Sequence, residues 1–232
     1  IHKPQWRVQG LEKLCPEQWY VLICNHQSWN DIPVLLFLMN RRIPVSRFFV
    51  KQQLLWVPLI GLACWAMEFP FLRRYSRQQL QQNPQLRDRD LVATQRFCES
   101  MKKRPATIVN YLEGTRFTQQ KHGRQSSPYR HLLKPKSGGV AYVVTNLGER
   151  VKLMIDVTLV YPKQNKGFWA FVCGDLGPVS VTIQQREIPE HFKSGDYQNS
   201  EPFRQEFQQW IAEIWQQKDD LIERHLADNQ RL

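Results

Sequence analysis

A histidine and an aspartate stand five positions apart at the end of a short apolar segment. Residues 19–24 are mostly apolar, and the polar residues that follow them include His26 and Asp31. A carboxylate that accepts one ring N–H of an imidazole fixes its tautomer and leaves the second nitrogen free as a general base. Such a base could deprotonate a hydroxyl group while the hydroxyl attacks a carbonyl carbon. The pair therefore predicts general-base chemistry at this junction.

The spacing of the two residues is weak evidence by itself. His191 and Asp196 have the same spacing, but they lie in a polar stretch that no strand precedes, and we interpret that pair as incidental. The alternative for His26 is a loop histidine that only makes a hydrogen bond near the start of the next helix. Further residues are needed to decide between the two interpretations.

Strands and helices alternate along the chain and must position this pair. The predicted strands are residues 19–24, 47–50, 106–112, 153–161, 169–173 and 179–185, and the predicted helices are residues 31–40, 87–103 and 136–147. A long amphipathic helix with Ser200 as its candidate cap closes the chain. The alternation predicts one α/β domain, with a largely parallel or mixed central sheet flanked by helices. We expect residues 1–186 to form this domain and residues 187–232 to pack on it as a helical extension.

A second polar turn follows another predicted strand, residues 106–112. Glu113, Gly114, Thr115 and Arg116 occupy this turn. Gly114 permits close approach of a ligand to the backbone, Thr115 offers a hydroxyl, and Arg116 presents a planar fork suited to phosphate. We expect Glu113 to hold that fork in place. Ligands of open α/β sheets bind beyond the carboxyl ends of strands, where both turns are predicted to lie.

The charge of the chain favours an anionic partner. The 232 residues carry a net charge of +11, but ten acidic and five basic residues from Glu187 onward leave +16 on residues 1–186. Residues 116–136 hold six basic and no acidic side chains. Nucleic acid, anionic lipid headgroups or a phosphorylated substrate would suit this surface. A solvated basic loop with no partner is the alternative.

The cysteines and the apolar segments limit the choice of class further. The five cysteines form no C-x-x-C pattern and are odd in number, so reduced thiols fit better than disulfides or a zinc site. Residues 54–67 contain no polar side chain, but Pro58 and Gly61 would break a helix there, and the run is too short to span a bilayer. A core helix is the commoner fate of such a run, while the basic residues before it keep an interfacial position open.

The two polar turns together resemble the glycerolipid acyltransferases of the lysophosphatidic acid acyltransferase group. The resemblance rests on the run from Asn25 to Asp31 and on the turn from Glu113 to Arg116. Phe71-Leu72-Arg73-Arg74 is similar to the family's second block, and Val157-Thr158-Leu159-Val160-Tyr161-Pro162 is similar to its fourth. Asp156 with these fourth-block residues looks closest to the lysophospholipid branch that includes lysocardiolipin and lysophosphatidylinositol enzymes. The resemblance covers residues 6–162.

The resemblance implies an enzyme and its substrates. His26, oriented by Asp31, would take the proton from a lysophospholipid hydroxyl that attacks an acyl thioester. Glu113, Gly114, Thr115, Arg116 and Arg74 would bind the acceptor. Acyl-coenzyme A or acyl carrier protein would supply the acyl group as a co-substrate, with neither a metal nor a further cofactor.

The resemblance also implies a location. Family members carry membrane helices upstream, and the start at Ile1 fits a chain from which such helices are missing. We expect a protein bound to an anionic membrane surface on its cytoplasmic face, which would be the inner membrane if the source is bacterial, with no nucleic-acid partner.

Two other functions remain open from the sequence. A nucleic-acid-binding module would explain the basic surface but leaves both polar turns unexplained. A catalytically inactive membrane-surface adaptor of the same fold would keep the turns without the reaction, and consumption of a thioester separates it from an enzyme.

Overall fold

The secondary structure begins and ends near most of the bounds that the sequence predicts. The structure is a computed structural model that describes residues 6–67, 69, 71–72, 83, 92, 95, 97–99, 101–162, 173 and 177–230. Its strands are β1 (Trp6–Gln9), β2 (Tyr20–Cys24), β3 (Ser46–Phe48), β4 (Val50–Lys51), β5 (Phe71–Leu72), β6 (Thr107–Tyr111), β7 (Leu153–Val160) and β8 (Val179–Glu187). Its α-helices are α1 (Asp31–Met39), α2 (Ile60–Ala66), α3 (Gln119–Gln125), α4 (Gly138–Leu147) and α5 (Glu201–Gln230). Short 3-10 helices cover Gln52–Trp56, Gly148–Arg150 and Glu190–Phe192.

A six-stranded mixed sheet forms the centre of the fold. Its strand order is β1-β8-β7-β2-β6-β3. Neighbouring strands are parallel except β7 and β8, which are antiparallel. β4 and β5 form a separate parallel pair. The predicted α/β domain with a largely parallel or mixed sheet is confirmed.

The sheet is covered on both faces, and β2 shows this in its sequence. All five of its residues are buried, as expected of a parallel strand between two layers of helices. Val21 and Ile23 pack in a cluster with residues of α4 and α5. Tyr20, Leu22 and Cys24 pack in a second cluster that includes residues of α1. The two clusters hold the carboxyl end of β2 in place from both sides.

The C-terminal helix α5 belongs to the same core. Its aromatic and aliphatic stripe is buried against the sheet and the 3-10 helix Glu190–Phe192. The side-chain oxygen of Ser200 accepts the backbone N–H of Phe203 at 3.4 Å, which makes Ser200 the cap that the sequence predicts. The single domain with a C-terminal amphipathic helix is confirmed.

Some predicted elements differ from those observed. Residues 47–50 divide between β3 and β4, which lie in different sheets. β1 is not among the predicted strands, because four residues with only two partly buried apolar side chains give a weak pattern. The predicted strand at residues 169–173 lies outside the described residues except for Cys173. Of the predicted helix at residues 87–103, the described residues 92, 95, 97–99 and 101 are helical.

Most of the described side chains in the apolar run at residues 54–67 are exposed, and Cys64 is the buried exception among its non-glycine residues. The side chains of the run are exposed to 83% at Trp56, 82% at Leu59, 64% at Leu62 and 66% at Trp65. The interpretation of this run as a core helix is therefore wrong, because hydrophobic composition alone does not distinguish a core position from an interfacial one. Within the described ranges, the helices are too short or too polar to cross a bilayer.

Candidate active site

The loop between β2 and α1 is wound around the carboxylate of Asp31. Oδ2 of Asp31 accepts the backbone N–H groups of Gln27 at 2.7 Å and Ser28 at 2.9 Å. Asp31 is the first residue of α1 and is completely buried. Four residues separate His26 from Asp31. This length lets the chain turn back, so that the N–H groups of Gln27 and Ser28 and the His26 side chain all reach Oδ2 of Asp31. The spacing of the histidine and the aspartate thus has a structural cause.

The imidazole of His26 contacts the same oxygen. Nδ1 of His26 lies 2.8 Å from Oδ2 of Asp31. Since an ionised carboxylate only accepts hydrogen bonds, Nδ1 carries the proton and Nε2 has a free lone pair. The His26 side chain is 15% exposed, so solvent or a substrate can reach the ring. The sequence-predicted pair of a base and its orienting carboxylate is brought together in a geometry that suits general-base chemistry.

Two tyrosines that the sequence analysis did not single out complete this pair. The hydroxyl of Tyr161 donates to Oδ1 of Asp31 at 2.8 Å, so both oxygens of the carboxylate are occupied. The ring of Tyr111 stacks on the ring of His26 with centroids 4.2 Å apart. Burial raises the pKa of both tyrosines, which keeps their hydroxyls protonated. A signal for Tyr161 was present in the fourth block, but its partner Asp31 is too distant in sequence to be inferred.

The turn after β6 holds the backbone of His26. The N–H of His26 donates to Oε1 of Glu113 at 2.7 Å, and its carbonyl accepts the N–H of Phe117 at 2.7 Å. The second oxygen of Glu113 accepts the N–H of Leu133 at 3.0 Å. The expected contact of Glu113 with Arg116 is therefore wrong. Glu113 is fully buried and faces inward, where two backbone donors need an acceptor.

The buried position of Glu113 changes its titration. Burial raises the pKa of this carboxyl from 4.5 to about 7, and the two backbone hydrogen bonds limit the rise. Glu113 is the link between the two polar turns, so this titration lies one hydrogen bond from the backbone of His26.

Arg116 lies over an aromatic ring. Its guanidinium carbon is 4.4 Å from the centroid of Trp29, a cation–π contact between the two polar turns. Nζ of Lys121 donates to Oγ1 of Thr115 at 2.7 Å and to the carbonyl of Arg116 at 2.9 Å. Gly114 has a φ of +67° and closes a tight turn, its N–H donating to the carbonyl of Tyr111 at 2.8 Å. The predicted binding residues Gly114, Thr115 and Arg116 thus lie beside the histidine loop.

Asn25 extends the pairing of β2 and β7 beyond the end of β2. Its Nδ2 donates to the carbonyl of Leu159 at 2.8 Å, and its Oδ1 accepts the N–H of Leu159 at 2.9 Å. A side-chain amide here reproduces the two hydrogen bonds of a strand residue. The chain can therefore leave the sheet at His26 without leaving the backbone of Leu159 unpaired.

A second buried carboxylate, that of Asp156, lies on β7. Oδ1 of Asp156 is 2.5 Å from Nζ of Lys218 on α5, and Oδ2 accepts Nε of Arg186 on β8 at 2.9 Å. Lys218 also donates to the carbonyl of Val157 at 2.6 Å and to Oγ1 of Thr158 at 3.1 Å. Asp156 and Lys218 are each about 1% exposed. This cluster joins β7 to β8 and α5.

The other residues that the sequence analysis considered are not part of the described site. His191 contacts Glu206 through Nε2 at 3.1 Å, while Asp196 accepts the N–H groups of Gln198 and Asn199. That pair is incidental, as expected. Arg74, the candidate of the second block, lies outside the described residues, as does Arg73.

The fold and the site together define the class to which the protein belongs. A mixed α/β sheet carries a partly exposed histidine on a buried aspartate, and a basic turn, at the carboxyl ends of two adjacent parallel strands. The same fold is found in PlsC from Thermotoga maritima, a 1-acyl-sn-glycerophosphate (LPA) acyltransferase of known structure. It superposes with a TM-score of 0.59 at 20% sequence identity, and the match covers 95% of this chain and 73% of that one.

The family follows from the sequence match. The profile of the Acyltransferase family matches residues 5–161, and the chain belongs to that family. A 1-acyl-sn-glycerol-3-phosphate acyltransferase 2 from Brassica oleracea is 24% identical over 222 residues, covering 89% of this chain and 51% of the relative. The human 1-acyl-sn-glycerol-3-phosphate acyltransferase gamma is 26% identical over 218 residues, with 88% and 52% covered.

The name of a third relative indicates a different headgroup. The 2-acyl-1-lysophosphatidylinositol acyltransferase of Saccharomyces cerevisiae is 22% identical over 244 residues, covering 89% of this chain and 61% of the relative. The chain spans about half the length of most of the curated relatives it matches.

Proposed function

We propose that the protein transfers a fatty acyl group from an acyl thioester to the free hydroxyl of a lysophospholipid such as 1-acyl-glycerol-3-phosphate. Nε2 of His26 takes the hydroxyl proton as the oxygen attacks the thioester carbonyl carbon. A C–O bond forms, the C–S bond breaks, and the sulfur leaves as a thiol with the proton returned by the imidazolium. Asp31 stabilises that imidazolium and holds the ring in place. No acyl-enzyme is needed.

One observation carries this proposal. Nδ1 of His26 lies 2.8 Å from Oδ2 of a completely buried Asp31, and the ring is still partly exposed. A hydroxyl at its ordinary pKa is a poor nucleophile at neutral pH, so base catalysis and positioning must supply the rate. The family match and the names of the relatives support the acyl group and the lysophospholipid as the substrates.

Arg116 is proposed to bind the phosphate of the acceptor. Its guanidinium is held on Trp29, beside the loop that carries His26. Contact with phosphate would be made in the ground state and the transition state alike, so loss of Arg116 should first raise the KM of the acceptor. Arg116→Lys should also be impaired, because an ammonium cannot reproduce a two-pronged contact.

The donor and the location complete the proposal. Acyl-coenzyme A or acyl carrier protein is the acyl donor, and the acceptor is drawn from an anionic membrane surface on its cytoplasmic side. The surplus of positive charge on residues 1–186 supports an anionic surface.

The function is tested by release of free thiol from acyl-coenzyme A, and in parallel from acyl carrier protein, in the presence of a panel of lysophospholipids. We expect thiol release that depends on the acceptor and on His26. Its absence with every acceptor and with both donors would favour the inactive adaptor.

The phosphate site is tested by kcat/KM for the wild type and Arg116→Ala, each with an acceptor and with its phosphate-free analogue. We expect a loss on the phosphorylated acceptor and little further loss on the analogue. Arg124→Ala, in the exposed part of the same basic stretch, is the matched control. An equal loss on both acceptors would make Arg116 a structural residue of the turn.

A further inference from the structure

The apolar segment, residues 55–67, rises from the same edge of the sheet as the catalytic pair. β3 runs parallel to β6, and β6 runs parallel to β2, so their carboxyl ends meet at one edge. His26 follows β2 and Glu113 follows β6, while β3 leads through β4 into the apolar segment. The rings of Phe69, Phe48, Tyr111 and His26 form a row, with successive centroids 5.6, 6.2 and 4.2 Å apart.

The apolar segment has a defined shape. A Cβ added to Gly61 would lie 2.0 Å from the carbonyl oxygen of Leu55, so the first turn of α2 packs directly on the preceding 3-10 helix. The N–H of Gly61 donates to the carbonyl of Val57 at 2.8 Å, and the N–H of Phe69 donates to that of Cys64 at 2.9 Å. These contacts fix which side chains point away from the protein.

One exposed residue of the segment is held in a strained conformation. The backbone of Leu59 has a φ of +63°, which residues other than glycine and asparagine rarely adopt. The side chain of Leu59 is 82% exposed. Strain of this kind is retained where a local conformation serves a function rather than stability. Trp56, Leu62 and Trp65 of the same short segment are exposed as well, and four large exposed apolar side chains within ten residues are more than isolated surface hydrophobics.

The charge at this edge identifies the partner. Residues 50–67 contain no acidic side chain, and neither do residues 116–136, which continue from the neighbouring strand β6. Within residues 116–136, the side chains of Arg124, Lys134 and Lys136 are exposed. Tryptophan and leucine side chains beside basic residues are the composition that binds anionic lipid surfaces.

We propose that the apolar segment inserts into the headgroup layer of an anionic bilayer and sets the active-site edge of the sheet against it. This inference rests on the proposed function only for the reason that membrane contact is useful. The proposed acceptor is an amphiphile that resides in the bilayer. With the segment inserted, an acceptor could reach His26 with its acyl chain still in contact with lipid.

The experiment measures binding apart from catalysis. The wild type and the double variant Trp56→Ser/Leu59→Ser are floated with vesicles of phosphatidylcholine mixed equally with phosphatidylglycerol, and with vesicles of phosphatidylcholine alone. We expect the double variant to bind the mixed vesicles at least about tenfold more weakly, because two large apolar side chains no longer leave water. The wild type should bind the phosphatidylcholine vesicles more weakly than the mixed ones, and salt should weaken binding.

Val45→Ser is the matched control. Val45 is 59% exposed and directly precedes β3, at the opposite edge of the sheet from His26. Its replacement should leave vesicle binding unchanged. Equal vesicle binding by the wild type and the double variant would overturn the proposal. A wild type that is a dimer without lipid and a double variant that is a monomer would also overturn it, because this surface would then be a contact between copies of the chain.

A water-soluble short-chain lysophospholipid separates this proposal from the proposed function. The double variant should turn over this acceptor as the wild type does and lose activity only on acceptors in vesicles. Loss on the soluble acceptor as well would show that the segment shapes the active site instead. Absence of turnover by the wild type would contradict the proposed function while leaving the binding result intact.

Discussion

Asp31 and Asp156 are two buried carboxylates that the fold uses differently. Both are at most 1% exposed, and each has both oxygens in contact with cations or donors. The side-chain partner of Asp31 at Oδ2 is a histidine that solvent can reach. The partners of Asp156 are Lys218, which is buried, and Arg186, which belongs to the adjacent strand.

The difference lies in the partner rather than in the carboxylate. An imidazole exchanges a proton near neutral pH, whereas an arginine stays charged and the buried Lys218 is held by a carboxylate and a carbonyl. The first cluster is therefore suited to chemistry and the second to joining β7, β8 and α5. Buried ion pairs of the second kind do not by themselves mark an active site.

The largest effect should come from His26→Ala. Loss of the general base should reduce kcat/KM by about a thousandfold, within the range that such bases contribute. The thermal midpoint should change little, because the imidazole is partly exposed. Thiol release and a melting curve measure the two quantities, and His191→Ala, the histidine of the incidental pair, should retain full activity. Comparable losses in both variants would remove the distinction that we draw.

Asp156→Asn should have the opposite signature. Replacing one member of a buried ionic cluster leaves Lys218 and Arg186 without their counter-charge and should lower the free energy of unfolding by about 3 kcal/mol. At temperatures where the variant is folded, kcat/KM should stay near the wild-type value. Urea unfolding and steady-state kinetics check this prediction. A stable but inactive Asp156→Asn variant would place Asp156 in the catalytic machinery.

Tyr161→Phe should sharpen the role of Asp31. The change removes only the donor to Oδ1, so the carboxylate loses one of the contacts that orient it, and kcat should fall about tenfold with little change in either KM. Tyr20→Phe removes a hydroxyl at the opposite end of the same sheet and should leave kcat unchanged. A rise in KM instead would mean that Tyr161 contacts a substrate.

Glu113→Gln should change the pH dependence of stability. The folded-state pKa of about 7 lies above the usual 4.5, so the folded protein holds this proton more tightly than the unfolded chain does. The stability contributed by this titration is present below pH 4.5 and is lost as the pH rises to 7, with a slope of at most about 1.4 kcal/mol per pH unit. Urea midpoints between pH 5 and 8 should show this slope in the wild type and not in the variant. Parallel pH profiles would assign the slope to other groups.

The sequence predicts the parts of the site that are local and misses those that are not. The pairing of His26 with Asp31 can be predicted from the sequence because β2, the loop and α1 are contiguous. The acceptor for Lys218 and the donor to Asp31 come from distant strands, and no periodicity indicates them. Glu113 was misassigned because its nearest charged neighbour in sequence is Arg116, whereas burial turned its carboxylate toward the backbone of His26.

The pairing of β1 with β8 has a consequence for the biosynthesis of the chain. Trp6 pairs with Val179, and a Cβ at Gly10 would meet the carbonyl of Ile183, so β1 packs closely against a strand that is made much later. At usual rates of translation, β1 would wait roughly ten seconds or more before β8 leaves the ribosome. During that time Trp6 and Val8 have no sheet edge to cover them, and a nascent chain that stalls before Val179 would expose them to chaperones or proteases.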